Sequence, residues 1–260
     1  MLTFKSPAKL NIFLKVVGKR DNYHLINSRF IRYDKLFDEI IFEKKDKQKS
    51  GFEMVGNFDC KLENNTIFKA YKYLCEYAKD RKIESFFSDY LLKVNKNIPT
   101  GAGLGGGSSN AATFLLAVDE LLNLKLKQKD FYAIGEKIGA DVNFFISKYK
   151  SANVSGIGEK IEEFSDDEVE FKLNFVDIHA NTSKVYSAFR EHFFDKIDIK
   201  LANDMMKKTT NELLKSFDAK TLNDLLNPLL VCYPQIKKYM KEEMYLSGSG
   251  STFFEAVKNG

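Results

Sequence analysis

The sequence predicts a two-domain protein of the α+β or α/β class. Its 260 residues suffice for one large domain or two modest ones, and 44% of them are hydrophobic. Segments with strand-like and helix-like apolar spacing alternate, but without the regular strand–helix count of a barrel. The pattern relaxes near residue 150, at "SKYKSAN". We therefore expect one domain over residues 1–152 and a second over residues 153–260.

The first elements read as strands followed by a helix. Residues 3–17 run apolar and predict a strand, "GKRDNYH" predicts a turn, and one or two further strands span Phe30 to Phe42. The segment "TIFKAYKYLCEYAKDR" has helical spacing, and "YLLKVNKNIP" predicts a strand that runs into a glycine-rich loop. The predicted apolar face of the helix contains Ile67, Ala70, Tyr71 and Leu74.

Two more helices and a hairpin complete the first half. Ala111, Leu115, Val118 and Leu122 repeat at helical spacing directly after the glycine-rich loop. "DFYAIGEKIGA" predicts another helix, with Asp130 as its N-cap. The glycines in "SANVSGIGEKIEEF" predict a hairpin.

The second half begins with the apolar stretch "FKLNFVDI". Helical spacing follows around residues 183–193, 203–216 and 219–227. "MYLSGSGSTFFEAV" closes the chain as a strand, a glycine turn and a strand.

Composition and charge exclude several classes of protein. There are 40 Lys and Arg against 36 Asp and Glu, a net charge of +4, which suits an anionic small substrate better than a nucleic acid. Cys60, Cys75 and Cys232 are widely spaced without a CxxC motif, which argues against a disulfide scaffold or zinc site and indicates a reducing cytoplasm. We see no apolar run long enough to span a bilayer, and Lys residues interrupt the N-terminal apolar stretch too often for a signal peptide.

The most informative segment is "NIPTGAGLGGGSSNAATFLLAVDELL". Five glycines lie between Gly101 and Gly107, immediately before a predicted helix. A helix N-terminus offers free N–H groups, and glycine lets the backbone approach an anion closely, so this arrangement predicts a phosphate-binding loop. It is not a Walker loop, because no Lys follows the glycines. Gly101, Gly103 and Gly106 have the GxGxxG spacing of a Rossmann loop, but that signal alone is weak. The glycines lie a hundred residues into the chain, and Asp119 and Glu120 lie inside the following helix.

Three segments together resemble the GHMP kinases, which phosphorylate small molecules such as galactose, homoserine, mevalonate and phosphomevalonate. "IPTGAGLGGGSSNAA" is similar to their central motif, "SPAKLNIFLKVVGKRDNYH" to the N-terminal motif and "LSGSGSTFFEAV" to the C-terminal motif. The resemblance extends from Pro7 to Ala256. It implies an N-terminal mixed α/β domain, a C-terminal ferredoxin-like α/β domain and an active site in the cleft between them.

The resemblance also implies ATP as the phosphoryl donor, with Mg²⁺ as the accompanying metal. Ser108 and Ser109 are candidate magnesium ligands, and no carboxylate is identified as one. The residues that the resemblance assigns to ATP are Pro99, Thr100, Gly101, Ala102, Gly103, Leu104, Gly105, Gly106, Gly107, Ser108 and Ser109.

Two residues are implied to be catalytic. Asp141, in "GADV", corresponds to the family's base, although its position after a glycine also fits a helix N-cap. A loose phosphoryl-transfer transition state needs little early deprotonation, so an aspartate can orient the hydroxyl and take its proton late. Lys9, which alone would read as a solvated strand residue, corresponds to the base's electrostatic partner.

Within the family, "GLGGGSSNAA", "PAKLN", "YH" and "GADV" are most similar to the branch whose acceptor is a cytidine diphosphate methylerythritol. Tyr23 and His24 then read the cytosine, and Tyr186 stacks on it from the other side. Asn22 replaces the usual glycine before Tyr23, and asparagine tolerates the left-handed region. The remaining acceptor-binding residues implied are Asn11, Thr182 and Ser249.

The expected activity is therefore phosphorylation of the acceptor's 2-hydroxyl in the non-mevalonate isoprenoid pathway. The expected assembly is a monomer or weak homodimer without nucleic acid or membrane partners. Two alternatives remain open: another GHMP kinase of homoserine or mevalonate type, and a non-catalytic ligand sensor or RNA-binding module on the same fold.

Overall fold

The computed structural model describes residues 1–49 and 51–257, so the end of the predicted domain 153–260 lies outside the described residues. Contacts divide the chain into two compact units, whose segments alternate along the sequence. Unit 1 consists of Met1–Ala8, Tyr33–Thr100 and Gly105–Lys148; unit 2 consists of Lys9–Arg32, Gly101–Leu104 and the chain from Tyr149 onward. The predicted boundary at residues 152/153 divides the sequence into two continuous domains, and it stays a prediction.

Two long strands contribute residues to both units. β1 spans Leu2–Arg20 and pairs with β2, which spans Tyr23–Lys44 without interruption. The predicted turn lies between them, but the left-handed residue is Asp21, with a φ of 53°, and not Asn22. The two predicted strands are confirmed and are longer than the apolar runs indicated, because β2 continues to find pairing partners along its length.

Unit 1 combines a small sheet with helices. Its sheet order is β3–β4–β2, with β4 parallel to β3 and antiparallel to β2. α3 packs against α1 and α5, and α4 packs against α5. The elements are β3 Met54–Gly56, α1 Thr66–Ala78, α2 Arg81–Asp89, β4 Tyr90–Asn95, α3 Gly106–Leu122, α4 Gln128–Ile138 and α5 Val142–Ser147, with a 3₁₀ turn at Leu62–Asn64.

Local sequence explains the ends and faces of these helices. α1 begins where the Asn65 side chain accepts a hydrogen bond from the amide of Ile67. Of its predicted apolar face it buries Ile67, Ala70 and Leu74, whereas Tyr71 is only half-buried. The prediction for α4 was wrong in one detail. Asp130 is the third helical residue and accepts a hydrogen bond from the amide of Lys127, the N-cap residue, at 2.8 Å.

Unit 2 contains the pairing β2–β5–β6 and a separate antiparallel sheet in the order β7–β9–β8. The predicted hairpin is β5–β6, and the predicted C-terminal strand–turn–strand is β8–β9. The elements are β5 Ser151–Gly156, β6 Lys160–Glu163, β7 Phe171–Asn174, α6 Thr182–His192, α7 Ile199–Met205, α8 Thr210–Ser216, α9 Ala219–Leu222, α10 Leu226–Cys232, β8 Tyr245–Leu246 and β9 Phe253–Ala256, with 3₁₀ turns at Phe194–Lys196 and Pro234–Tyr239.

Two predicted helices in unit 2 are each broken in two. The segment 203–216 is interrupted because Thr209 and Glu212 form a capping box that starts α8. The segment 219–227 is interrupted at Asn223, whose extended backbone pairs with Leu14 of β1. The core beside this break contains Leu14, Val16, Val185, Phe189, Leu225, Leu226, Leu229, Leu246 and Phe253.

Within residues 1–49 and 51–257, none of the helices combines the length and apolar character that crossing a bilayer requires. In the same part of the chain, no three His, Cys, Asp or Glu side chains come together as metal ligands would.

Candidate active site

The glycine-rich loop lies directly before α3, as predicted. Gly101, Gly103 and Gly105 have φ values of 66°, 75° and 70°, a region that side chains with a Cβ rarely adopt. Gly105 occupies the N-cap position, and the amide of Ser109 donates the first intrahelical hydrogen bond to its carbonyl at 2.9 Å. The amides of residues 106–108 therefore form the open N-terminus of α3, where an anion is favoured.

In unit 2, three sequence-distant segments meet at Gly103. Its carbonyl oxygen accepts hydrogen bonds from Lys9 Nζ and from Ser247 Oγ, both at 3.0 Å. A Cβ at Gly103 would lie less than 3.0 Å from the carbonyl oxygen of Ser247. The neighbouring amide of Thr252 donates to Ala102 O at 3.2 Å. The N-terminal and C-terminal motifs thus both bind to the backbone of the central motif.

Lys9 is not a solvated strand residue. It is 3% exposed, and its ammonium lies 4.7 Å from the centre of the Phe30 ring. Nζ also donates to the side-chain oxygen of Asn11, which confirms that these two residues share one face of β1. Asn11 is held in turn by Ser28, to whose hydroxyl it donates at 3.1 Å. A buried ammonium in this position is rigidly oriented.

The predicted acceptor residues of unit 2 form two groups. The hydroxyls of Thr182 and Ser249 lie 2.8 Å apart, which links the start of α6 to the C-terminal glycine turn. Tyr186 stacks on His24, with ring centres 4.9 Å apart, and Tyr23 beside them is 63% exposed. His24 is 9% exposed, and its buried Nε2 has no hydrogen-bond partner within the described residues.

The environment of His24 predicts a pH dependence of stability. Burial lowers the pKa of His24 from 6.5, and the positive charges of Arg190 and Lys19 lower it further. The unfolded chain therefore binds the proton more readily than the folded chain. The contribution of neutral His24 to the free energy of unfolding is fully present above pH 6.5 and is lost as the pH falls below that value. Urea unfolding at about pH 8 and about pH 5.5 should show a smaller pH effect for His24→Gln than for the wild type. Equal pH effects in the two proteins would contradict this assignment.

Unit 1 contains the predicted base. Asp141 occupies the N-cap position of α5, but its side chain makes no capping hydrogen bond to the helix. The neighbouring Gly139 lies against the first turn of α3, since a Cβ there would be 3.9 Å from Ser108 Oγ. The Asp141 segment and the open end of α3 are therefore neighbours within this unit, and the role of a helix cap does not account for the carboxylate.

The two serines of the central motif differ in environment. Ser108 is half-buried, whereas Ser109 is fully buried and its hydroxyl accepts a hydrogen bond from Ser6 at 2.8 Å. The amide of Ser109 is also engaged, with Gly105 O, so both its amide and its hydroxyl oxygen already have partners inside the protein. Ser108 is the better candidate for a direct ligand contact.

Several supporting residues escaped sequence reasoning. His179 packs against Gly101, where a Cβ would come within 3.0 Å of its ring. Asn223 donates to the carbonyls of Leu246 and Gly248, both at 2.9 Å, and so anchors the C-terminal glycine turn. Asp38, in unit 1, is fully buried and accepts hydrogen bonds from the amides of Asn97 and Ile98. Only Asn223, which forms a polar pair with Asp224 between leucines, left a faint signal in the sequence.

Sequence comparison shows which known proteins this chain resembles. The pattern of the GHMP kinases N terminal domain matches residues 65–149. A protein of Sulfurimonas denitrificans named 4-diphosphocytidyl-2-C-methyl-D-erythritol kinase is 44% identical over 257 residues, covering 98% of this chain and 96% of that protein. Proteins of the same name from Campylobacter jejuni and Helicobacter pylori are 45% and 37% identical, covering 96% and 98% of this chain and 98% and 94% of their own lengths.

Solved structures show the same fold. A crystal structure of 4-(cytidine 5'-diphospho)-2C-methyl-D-erythritol kinase superposes with a TM-score of 0.78 at 27% identity, over 100% of this chain and 91% of that one. The mevalonate kinase of Methanococcus jannaschii gives a TM-score of 0.64 at 13% identity, over 99% and 90%, which shows a common fold alone. The chain belongs to the GHMP family of small-molecule kinases, in the branch of the 4-diphosphocytidyl-2-C-methyl-D-erythritol kinases.

Proposed function

We propose that the chain transfers the γ-phosphoryl group of ATP to the 2-hydroxyl of 4-diphosphocytidyl-2-C-methyl-D-erythritol, in the non-mevalonate isoprenoid pathway. The observation that carries the proposal is the meeting of Lys9, Gly103 and Ser247 within unit 2. These residues come from the three motifs typical of GHMP kinases. The near-full-length identity to kinases named for this acceptor supports the choice of substrate.

In this proposal, residues 99–109 bind the triphosphate of ATP. The support is the open N-terminus of α3 together with the positive φ values at Gly101, Gly103 and Gly105. Backbone amides there can donate to phosphate oxygens without a side chain in the way. Ser109 would contribute by holding α3 in place from behind, through its hydrogen bond with Ser6.

Mg²⁺ fits the donor set of this loop. The ion prefers oxygen ligands and is commonly held by one or two protein groups, several waters and substrate phosphates, so a dedicated carboxylate cluster is not required. Ser108, half-buried in the first turn of α3, offers such an oxygen. When bound, the ion would neutralise charge on the phosphate oxygens.

Asp141 and Lys9 are the proposed catalytic residues. Asp141 would accept the hydrogen bond of the acceptor's 2-hydroxyl, orient its oxygen toward the γ-phosphorus and take the proton late in the transfer. Lys9, buried and fixed by Asn11 and Gly103, would supply positive charge where negative charge moves during transfer. Because the position of Lys9 is already fixed, no free energy is needed to reorient its ammonium group during the reaction.

The cytidine half of the acceptor would bind beside His24. Tyr23 is exposed and available for stacking, while Tyr186 already stacks on the His24 ring and would support it. His24 Nε2, which is buried and has no partner within the described residues, would bond to the cytosine edge once the side chains that cover it move aside. Asn11, Thr182 and Ser249 would contact the rest of the acceptor. Stacking supplies affinity, and the polar contact selects the base.

A substrate panel tests the proposal. Purified protein with Mg-ATP should phosphorylate the cytidylated acceptor and should lose most of its kcat/KM when the cytidine is absent. Turnover that ignores the cytidine, or that favours homoserine or mevalonate, would assign the chain to another GHMP activity. ATP binding without transfer to any alcohol would identify a ligand sensor, and salt-sensitive RNA binding would identify an RNA-binding module.

The proposal describes a cytoplasmic metabolic enzyme. It acts as a monomer or weak homodimer and requires neither nucleic acid nor a membrane. Sedimentation of the purified protein, alone and with both substrates, measures its state of association.

A further inference from the structure

A buried polar cluster lies behind the open end of α3 in unit 1. We call it the Asp38 cluster. Asp38 is fully buried at the centre, and the side chain of Lys96 is 16% exposed. The members of the cluster are Ser6, Asp38, Lys96, Ser109 and Asn110.

The two carboxylate oxygens of Asp38 hold different parts of the chain. Oδ1 accepts hydrogen bonds from the amides of Asn97 at 2.7 Å and Ile98 at 2.8 Å, just after β4 ends. Oδ2 accepts from Asn110 Nδ2 at 2.9 Å, in the second turn of α3, and from Lys96 Nζ. One carboxylate therefore holds both flanks of the glycine-rich segment.

Holding the flanks matters because the segment between them is rich in glycine. Glycine loses more backbone conformational entropy on ordering than other residues do. A loop that becomes ordered only when the ligand binds therefore lowers the affinity for that ligand. Asn110 extends the restraint, because it also donates to Ser6 at 2.9 Å and Ser6 donates to Ser109. The first two turns of α3 are thus tied to the end of β4 before any ligand binds.

We infer that Asp38 is a positioning residue for nucleotide binding, which pre-organises the N-terminus of α3 for phosphate. The inference rests on the proposed function for the identity of the ligand, whereas the restraint itself rests on the hydrogen bonds. Asp38 acts through the backbone amides of the segment it holds and not through contact with the nucleotide.

For the Asp38→Asn variant, the change in charge and the loss of the restraint should move nucleotide affinity in opposite directions. Lys96 Nζ lies 3.4 Å from the position that a Cβ on Gly106 would occupy, directly behind the first helical residue. Replacing Asp38 by asparagine leaves this ammonium without its carboxylate, so charge alone would make the loop attract phosphate more strongly. Asparagine also turns an amide donor toward the donors of Lys96 and Asn110. Weaker nucleotide binding by Asp38→Asn is therefore a geometric effect.

Asp166 provides a matched control. Its side chain is 3% exposed and pairs with fully buried Arg29 at 3.0 Å, and it accepts hydrogen bonds from both the amide and the hydroxyl of Thr210 at 2.7 Å. It is thus another buried, cation-paired aspartate that holds backbone, but it lies in unit 2 and holds the start of α8. Asp166→Asn should destabilise the fold as much as Asp38→Asn does.

The experiment compares wild type, Asp38→Asn and Asp166→Asn by calorimetric titration with Mg-ATP and by hydrogen exchange of the amides of residues 105–109 without nucleotide. We expect Asp38→Asn to bind ATP about 10-fold more weakly and to exchange these amides about 10-fold faster. Asp166→Asn should stay within about twofold of wild type in both measurements. Should Asp38→Asn fail to fold, Asn110→Ala, which keeps the Asp38–Lys96 pair, should show the same changes at about 3-fold.

ATP binding by Asp38→Asn that equals or exceeds wild type, or equal weakening by Asp166→Asn, would overturn the inference. The exchange measurement needs no nucleotide. If wild type does not bind ATP, the proposed function fails, and unchanged exchange in Asp38→Asn would then refute the restraint independently.

Discussion

Asp141→Asn is expected to lower kcat for phosphoryl transfer by about 10³-fold, within the range that positioned acid–base groups contribute. Asparagine keeps the shape of the side chain but cannot take the acceptor's proton. The carboxylate makes no capping hydrogen bond to α5, so the substitution removes no cap from that helix. Single-turnover transfer from ATP to the cytidylated acceptor measures the chemical step, and calorimetric titration with Mg-ATP should show unchanged nucleotide affinity.

The control for this variant is Asp130→Asn, on the first turn of α4 in the same unit. It removes the same charge from a partly exposed helix start and should leave kcat within about twofold. Near-normal turnover by Asp141→Asn would remove Asp141 from the mechanism. A large loss of ATP affinity would instead assign it to nucleotide binding.

Gly103→Ala is expected to have the second large effect. The φ of 75° disfavours any side chain, and the new Cβ would lie within 3.0 Å of the carbonyl of Ser247. The combined strain and overlap should cost about 3 kcal/mol of unfolding free energy, unless the loop moves away from the C-terminal turn. Movement would displace the carbonyl that holds Lys9, so activity would fall instead. Urea unfolding and steady-state kinetics together measure both outcomes.

Gly139→Ala is the matched control, because the backbone conformation at this position does not require glycine. Its φ of 174° is extended backbone, and the nearest atoms to a Cβ lie at 3.8 and 3.9 Å. Its unfolding free energy should change by less than about 1 kcal/mol. A Gly103→Ala variant with the stability and kinetics of wild type would show that the three motifs do not need their close backbone contact.

Helices with a single apolar face were predictable from the sequence. α1 follows from spacing because it buries one stripe, on which Ile67 and Leu74 lie. α3 was found from the same kind of spacing, although it is buried on most of its sides. The helix predicted over 203–216 was wrong because periodicity continued through Thr209, although the Thr209–Glu212 capping box was present in the sequence. The break at Asn223 had a different cause, since it depends on contact with Leu14.

The candidate site divides in the same way. The residue types and order of its three motifs, and hence the family, could be read from the sequence. The environments of individual side chains could not. Taken alone, Lys9 in a strand would be expected to be solvated, but it is buried. Ser108 and Ser109 look alike in the sequence, but Ser109 is fully buried, with its amide bonded to Gly105 O and its hydroxyl accepting from Ser6. Asp38 carries no sequence signal, because its partners lie about 60 and 70 positions away.

By itself, the sequence determined the turn-forming glycines, the apolar stripes and the family, because these are local or ordered properties of the chain. Only the tertiary structure decided that the side chains of Lys9 and Ser247 both donate to the carbonyl of Gly103, and that Asp38 holds both flanks of the glycine-rich segment. The physical reason is that burial and hydrogen bonding over long sequence separations depend on which segments pack together, and no local pattern records that choice.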